Sequence, residues 1–304
     1  MFEPAYLKVF ETGELKYRIE QAYGILSSCT LCPVACKVNR LKGEKGDCGV
    51  DNKVILSSYG AHFGEEPVLV GKHGSGTVFF GGCNLKCVYC QNYEISQYRW
   101  GEIVDTNTLA NVFLNIQEKG CHNLNLVSPT HIVPQILEAL HKAVENGFRL
   151  PIVYNTGGYD HVRVLKLLDG IVDIYMPDTK YGDSNSGLKY SGVKNYFEVN
   201  KRNLHEMFKQ VGNLELKNGL AVRGLLIRHL VLPNNVSRTK NVIDFIVEEL
   251  SVDSYLNLMD QYYPTYKAFN FQELSRRLRR EEYIDVVNYA LEKGIHRGIP
   301  FDYF

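Results

Sequence analysis

The 304-residue chain has no surplus of either charge: 34 Lys and Arg face 34 Asp and Glu. Phosphate binding normally leaves a basic excess or stripe, so no general affinity for nucleic acid or an anionic membrane is expected. The densest basic run, Arg276-Arg277-Leu278-Arg279-Arg280, meets Glu281-Glu282 at once. On a helix Arg277 and Glu281 stand four apart, which predicts a solvated, internally paired face. No apolar run approaches the ~18 residues of a membrane span. Met1-Phe2-Glu3-Pro4 lacks the basic and apolar regions of a secretory signal, so the cytoplasm is the expected location. Repeats and low-complexity tracts are also missing, and with 45% hydrophobic residues the composition excludes disordered and collagen-like chains.

What is present is cysteine, eight of them. In a reducing compartment closely spaced cysteines read first as metal ligands or redox groups. Cys83, Cys87 and Cys90 follow a C-x3-C-x2-C spacing. Three thiolates so spaced can hold three irons of a cubane and leave the fourth without a protein ligand. The alternatives are a zinc site completed by a histidine, or buried free thiols. Cys29, Cys32, Cys36 and Cys48 form a second, closed set of four, structural or electron-transferring, with zinc or an auxiliary [4Fe-4S] cluster as its metal. Cys121 stands alone and reads as a small buried hydrophobe.

Leu15, Ile19, Ala22 and Leu26 recur at helical spacing and predict a helix over 13–27 that leads into Cys29. The stretch 29–48 is loop-rich and poor in apolar residues, so it needs a metal to hold its shape. From Thr77 onward, short apolar runs alternate with helical ones. Strands are predicted at Thr77-Phe80, His122-Val127, Pro151-Asn155, Val172-Met176, Leu220-Arg228 and Ser254-Met259, with helices near 106–119, 131–146, 159–168, 200–211, 236–250 and 271–293. This alternation means α/β, with parallel strands covered by helices, in an open or closed barrel or a doubly wound sheet. Two units are expected: residues 1–72 as a four-cysteine metal-binding lobe and 73–304 as the α/β domain.

Ligand chemistry in such folds gathers at the carboxyl ends of the strands. Those ends carry Gly81-Gly82-Cys83, Ser128-Pro129-Thr130-His131, Asn155-Thr156-Gly157-Gly158, Pro177-Asp178-Thr179-Lys180, Arg228-His229 and Gln261-Tyr262-Tyr263. Turns and helix caps are the competing use of such polar residues, most clearly for Ser128 and Asn155. Asp178 and Lys180 alternatively form a solvent-exposed pair before a loop at 181–187. The tail from Gly298 onward is aromatic enough to dock onto another surface.

The run from Thr77 to Ser96, with Gly-Gly before the first cysteine, Tyr89 before the last and Gln91-Asn92-Tyr93-Glu94 behind, resembles the cluster loop of radical S-adenosylmethionine (SAM) enzymes. More narrowly it resembles their PflX-like branch, homologues of pyruvate formate-lyase activating enzymes. The resemblance implies a partial (β/α)6 TIM-type barrel, a [4Fe-4S] cluster on Cys83, Cys87 and Cys90, and SAM chelated at the open iron. It also implies a low-potential electron donor of flavodoxin or ferredoxin type. Tyr89 is then expected against the adenine, Asp178 and Lys180 as catalytic and SAM-contacting groups, and Arg228 and His229 near the ribose and carboxylate, with Asn155 a further contact. Relatives usually carry a Gly-Gly-Glu-type motif after the second strand; here Ser128 is the candidate acceptor for the SAM amino group. The implied activity is hydrogen abstraction by a 5′-deoxyadenosyl radical. The substrate is a backbone glycine of a partner enzyme if the chain is an activase, or else a small molecule or peptide. A reading from another class is a non-catalytic iron–sulfur or zinc protein that transfers electrons or binds a partner.

Overall fold

The computed structural model describes residues 2–299; of the aromatic tail, residues 300–304 lie outside them. In chain order the elements are α1 (Tyr6–Glu11), α2 (Glu14–Gly24), β1 (Val54–His62), α3 (Pro67–Val70), β2 (Ser75–Phe80), α4 (Tyr93–Ser96), β3 (Glu102–Val104), α5 (Thr106–Glu118) and β4 (Leu124–Val127). They continue with α6 (Val133–Glu145), β5 (Ile152–Thr156), α7 (Val162–Leu167), β6 (Ile174–Pro177), α8 (Ser184–Ser191), α9 (Tyr196–Val211), β7 (Glu215–Lys217), β8 (Leu220–Leu230), α10 (Thr239–Phe245), β9 (Tyr255–Met259) and α11 (Arg280–Glu292).

The six expected strands pair in parallel in the order β2-β4-β5-β6-β8-β9. That order, with helices between the strands, is consistent with a partial (β/α)6 barrel. The central strands β5 and β6 are buried along their whole length, as near-continuous apolar runs covered on both faces must be. Three further strands extend the sheet antiparallel: β1 on β2, β3 on β1 and β7 on β8. Sequence periodicity misses β1, whose nine residues are mostly half-exposed or exposed and show no apolar alternation.

The expected border at 72/73 is corrected by this pairing, because β1 belongs to the main sheet. Tyr6, Leu15 and Leu26 share one apolar core with Leu137, Leu140 and Val164. The Tyr6 hydroxyl donates to the Leu150 carbonyl at 2.9 Å, and the Ala5 N–H donates to Asp173 Oδ1 at 2.9 Å. The N-terminal helices are thus fastened across the α/β domain.

Two other expectations are corrected. The segment 181–187 is half helix: Asp183 caps α8 by accepting from the Ser186 N–H at 2.7 Å. Packing overrides the weak propensity of Ser, Asn and Gly there, and a Cβ on Gly187 would stand 2.3 Å from that of Tyr196. The Arg277–Glu281 pair does not form, since α11 starts only at Arg280. Instead Arg276 forks onto Glu282 at 2.7 and 2.8 Å, and Glu282 accepts from the Arg279 N–H.

Gly158, after β5, has φ +71°, and a Cβ there would lie 2.2 Å from the Asp178 carbonyl oxygen and 2.3 Å from Asn200 Nδ2. Gly158→Ala is therefore expected to lower unfolding free energy by about 2–4 kcal/mol in urea titration, from positive-φ strain plus overpacking.

Candidate active site

The loop after β2 turns at Gly81-Gly82. Gly82 has φ +91°, and a Cβ on it would come within 2.8 Å of the Cys48 carbonyl oxygen, so only glycine admits the N-terminal segment this close. His131 braces the turn by donating from Nε2 to the Gly81 carbonyl at 2.9 Å, which leaves its buried Nδ1 without a partner. Beyond the turn, the Leu85 N–H points at Cys83 Sγ (3.4 Å), Cys87 Sγ meets Ser191 Oγ (3.0 Å) and Cys90 Sγ meets Ser96 Oγ (3.2 Å). Burial, then the neighbouring Cys87 thiol, pushes the Cys83 thiol up to about 12. Burial also raises Cys87, against the pull of Lys180. Such thiols need a cationic centre to become thiolates, which iron supplies.

All three cysteines line a cavity of about 520 Å³. No fourth cysteine is among the residues lining it, so the donor set fits a cubane that would lack a fourth protein ligand. The same cavity is lined by Tyr89, Ser128, Asn155, Asp178, Lys180, Arg228 and Gln261, which strands far apart in sequence bring together.

Asp178 is the charge hub. It accepts from Lys180 Nζ at 2.7 Å and from Arg228 Nε at 3.0 Å, with Arg228 Nη2 in ion-pair contact at 2.8 Å. Burial alone would raise its carboxyl, but Arg228 and then Lys180 hold it below the usual carboxylate range. Burial would likewise lower Lys180, yet Asp178 and then Cys87 keep its ammonium well above the normal value. The expected alternative of a solvent-exposed pair is thereby corrected: both side chains are less than one-fifth exposed. Arg228 also reaches Asn155 Oδ1 at 2.7 Å and Glu65 Oε1 at 3.3 Å.

Ser128 has φ +57°, uncommon for a residue with a Cβ, and its N–H donates to the Asn155 carbonyl at 2.9 Å. The Tyr89 hydroxyl donates to Tyr181 at 2.8 Å; Tyr181 meets Ser191 at 2.8 Å, and Ser191 touches Cys87. A hydrogen-bonded chain therefore links Tyr89 to the Cys87 thiol. Tyr262 lies edge-on to Tyr89 and donates to the Leu274 carbonyl, so it supports the wall from behind.

His229 does not reach the cavity. Successive residues of a strand face opposite sides, and with Arg228 turned inward His229 points outward, fully buried against the start of α10. Its Nδ1 donates to the Thr179 carbonyl, so Nε2 accepts from the Thr239 hydroxyl at 2.9 Å. Burial holds its imidazole down at about 4, against 6.5 for a free ring. The fold accepts the neutral form, so this share of stability is present above 6.5 and is lost as pH falls through about 4. His229→Gln should shrink the acid-induced loss between those limits by up to about 3 kcal/mol, read by urea titrations at pH 7 and 4.5.

Sequence reasoning overlooked Glu65 and Glu66. Both line the cavity from the turn between β1 and α3. The signal present, Gly64-Glu65-Glu66-Pro67, reads as a helix start, and Pro67 does open α3, but Glu66 makes no capping hydrogen bond.

In the N-terminal segment Cys29 and Cys48 are buried. Burial first, then Cys48, Cys29 and Cys36, push the Cys32 thiol up to about 12, and the thiols of Cys36 and Cys48 both flank Gly46, 3.1 and 3.5 Å from where its Cβ would stand. Fully buried Arg40 donates to the His131 carbonyl (2.7 Å) and the Asp51 carbonyl, with Nη1 3.8 Å from Cys29 Sγ. Among the described residues, no three His, Cys, Asp or Glu side chains are drawn to the spacing of ligands on one metal ion. Nor is any helix among them long and apolar enough to cross a membrane.

Comparison with known proteins finds two uncharacterized proteins of Methanocaldococcus jannaschii. MJ0674 is 35% identical over 91% of this chain and 78% of its own length, and MJ0808 is 25% identical over 90% and 84%. Among solved structures, similar chains include HydG, a maturase of the [FeFe]-hydrogenase (12% identity, TM-score 0.48), and Streptococcus suis SuiB bound to precursor peptide SuiA (11%, TM-score 0.47). TYW1 with a lysine-pyruvate adduct bound is also similar (10%, TM-score 0.45). Each alignment covers 71% of this chain, but only 48% of HydG, 45% of SuiB and 73% of TYW1, so the chain spans under half the length of the first two. The family described as the Radical SAM superfamily matches residues 77–246, from β2 through α10. With the three-cysteine loop at its cavity, the chain belongs to the radical SAM superfamily, whose members use a [4Fe-4S] cluster and SAM.

Proposed function

We propose that the chain cleaves SAM reductively at a [4Fe-4S] cluster held by Cys83, Cys87 and Cys90, and takes hydrogen from a substrate that shares the 520 Å³ cavity. One observation carries this reading: three thiols of one loop open onto a cavity that also holds Asp178, Lys180 and Arg228. When bound, the reduced cluster supplies the electron that splits the sulfonium into methionine and a 5′-deoxyadenosyl radical. The chain's own part is orientation and exclusion of water. Lys180 and Arg228 present fixed positive charge to a carboxylate, while Asp178 keeps both in place. Tyr89 offers a ring face for adenine. Ser128 and the adjacent carbonyls accept from an ammonium in place of the Gly-Gly-Glu-type motif. His229 acts at one remove, by holding the Thr179 carbonyl between Asp178 and Lys180.

The test is anaerobic reconstitution followed by SAM and dithionite. Formation of 5′-deoxyadenosine is expected; its absence with an intact, reducible cluster would sink the proposal in favour of a non-catalytic iron–sulfur protein. In the cell, a cytoplasmic flavodoxin or ferredoxin would replace dithionite. Membership of the PflX-like branch and a glycyl-radical activase role belong to this proposal and rest on the likeness of the Thr77–Ser96 run. An activase would leave a persistent glycyl electron-spin signal on its partner.

Cys29, Cys32, Cys36 and Cys48 are proposed as the second metal site, for zinc or an auxiliary [4Fe-4S] cluster. Metal analysis of a variant lacking Cys83, Cys87 and Cys90 reads this site alone. About one zinc or about four iron per chain is the expected result, and a folded variant that holds neither zinc nor iron would refute it.

A further inference from the structure

The charges lining the cavity do not balance. Glu65, Glu66 and Asp178 face only Lys180 and Arg228 as permanent cations. Asp178 takes both cations and Glu65 takes a share of Arg228, whereas Glu66 has no cation within 4.0 Å among the described residues. Glu66 is only 6% exposed, and its two oxygens accept from one group, Asn257 Nδ2, at 2.8 and 2.9 Å. An ionised carboxylate so buried is costly without a cation. Beside it, Asn125 donates to Glu65 at 2.9 Å, while its own buried Oδ1 has no partner, a further acceptor left unused.

Position separates this acidic floor from the thiol loop. β1 runs antiparallel to β2, with His62 opposite Ser75, so the turn after His62 emerges at the amino ends of the parallel strands. Cys83 follows the carboxyl end of β2. One cavity touches both, leaving Glu65 and Glu66 across the site from the cluster loop.

We infer that the substrate carries a protonated amine, or a comparable cationic donor, that docks on Glu66 at the floor of the cavity. This rests on the cavity being the active site proposed above. Burial pushes the Glu66 carboxyl up despite the opposing pull of Arg228 and of the Asn257 hydrogen bond, which agrees with a group that has no cation of its own. An arriving ammonium supplies the missing charge and satisfies the second lone pairs of Glu66, while its alkyl portion extends towards the thiol loop.

The probe is butylammonium, with butanol as the neutral isostere and butyrate as the anionic one, titrated calorimetrically into anaerobic, cluster-loaded protein saturated with SAM at constant ionic strength. Butylammonium is expected to bind at least about tenfold more tightly than butanol, with butyrate not binding, and Glu66→Gln is expected to remove that preference. Equal binding of amine and alcohol by the unaltered protein overturns the inference, and this arm does not depend on the variant folding. So does an undiminished preference in a folded Glu66→Gln protein. A parallel titration without SAM completes the test: amine binding seen there but lost in the SAM-saturated protein also overturns the inference, because Glu66 would then serve the SAM ammonium. 5′-Deoxyadenosine formed without substrate is measured on the same protein. If it forms and the amine does not bind, this inference alone fails; if it never forms, the active-site proposal fails first.

Discussion

Cys87→Ala is expected to abolish 5′-deoxyadenosine formation, lowering the rate by at least about a thousandfold, roughly 4 kcal/mol of activation free energy. Two remaining thiols cannot hold a cubane in place, and Cys87 is also the thiol tied through Ser191 and Tyr181 to Tyr89. Iron content and the cluster's visible absorption should fall together with product. Cys121→Ala is the control: that thiol is buried beside Gly76, outside the cavity, and product formation should stay within about twofold. Cleavage by the Cys87 variant at an undiminished rate would remove the cluster from the proposed mechanism.

Arg228→Met should cost about 3–5 kcal/mol of stability, the usual penalty for removing one partner of a buried ion pair. Asp178 would keep Lys180, but Glu65 would lose its cation and Asn155 Oδ1 its donor. The cost is mostly that of stranded carboxylates. Adding Glu65→Gln to Arg228→Met should therefore recover part of it, an interaction that a double-mutant cycle in urea measures directly. Strictly additive effects would mean that the two side chains are not coupled. Arg228→Lys should recover less than half, because an ammonium cannot contact Asp178, Glu65 and Asn155 in the plane of a guanidinium.

Local sequence made some of this architecture readable and hid the rest. The parallel strands were visible because each is a short apolar run between helical stretches, and the three-cysteine loop because its cysteines lie within eight residues of one another. Asp178, Lys180, Arg228 and Asn155 were visible as polar residues that end apolar strands. Glu65 and Glu66 were not, since they follow a half-exposed antiparallel strand and reach the cavity from its opposite end. His229 was misplaced because strand alternation makes either Arg228 or His229 the inward residue, and the sequence carries no mark of which.

The spacing of Cys83, Cys87 and Cys90 and the alternation of strands and helices were determined by the sequence itself, because both depend on residues close along the chain. Tertiary structure alone decided that Arg228 faces inward, that Lys180 is buried against Asp178, that β1 joins the sheet, and that the N-terminal helices share its apolar core instead of standing apart. Those outcomes depend on strand register and on charges meeting across up to 163 residues of chain. Only the folded packing sets such distances, and with them the dielectric in which the charges act.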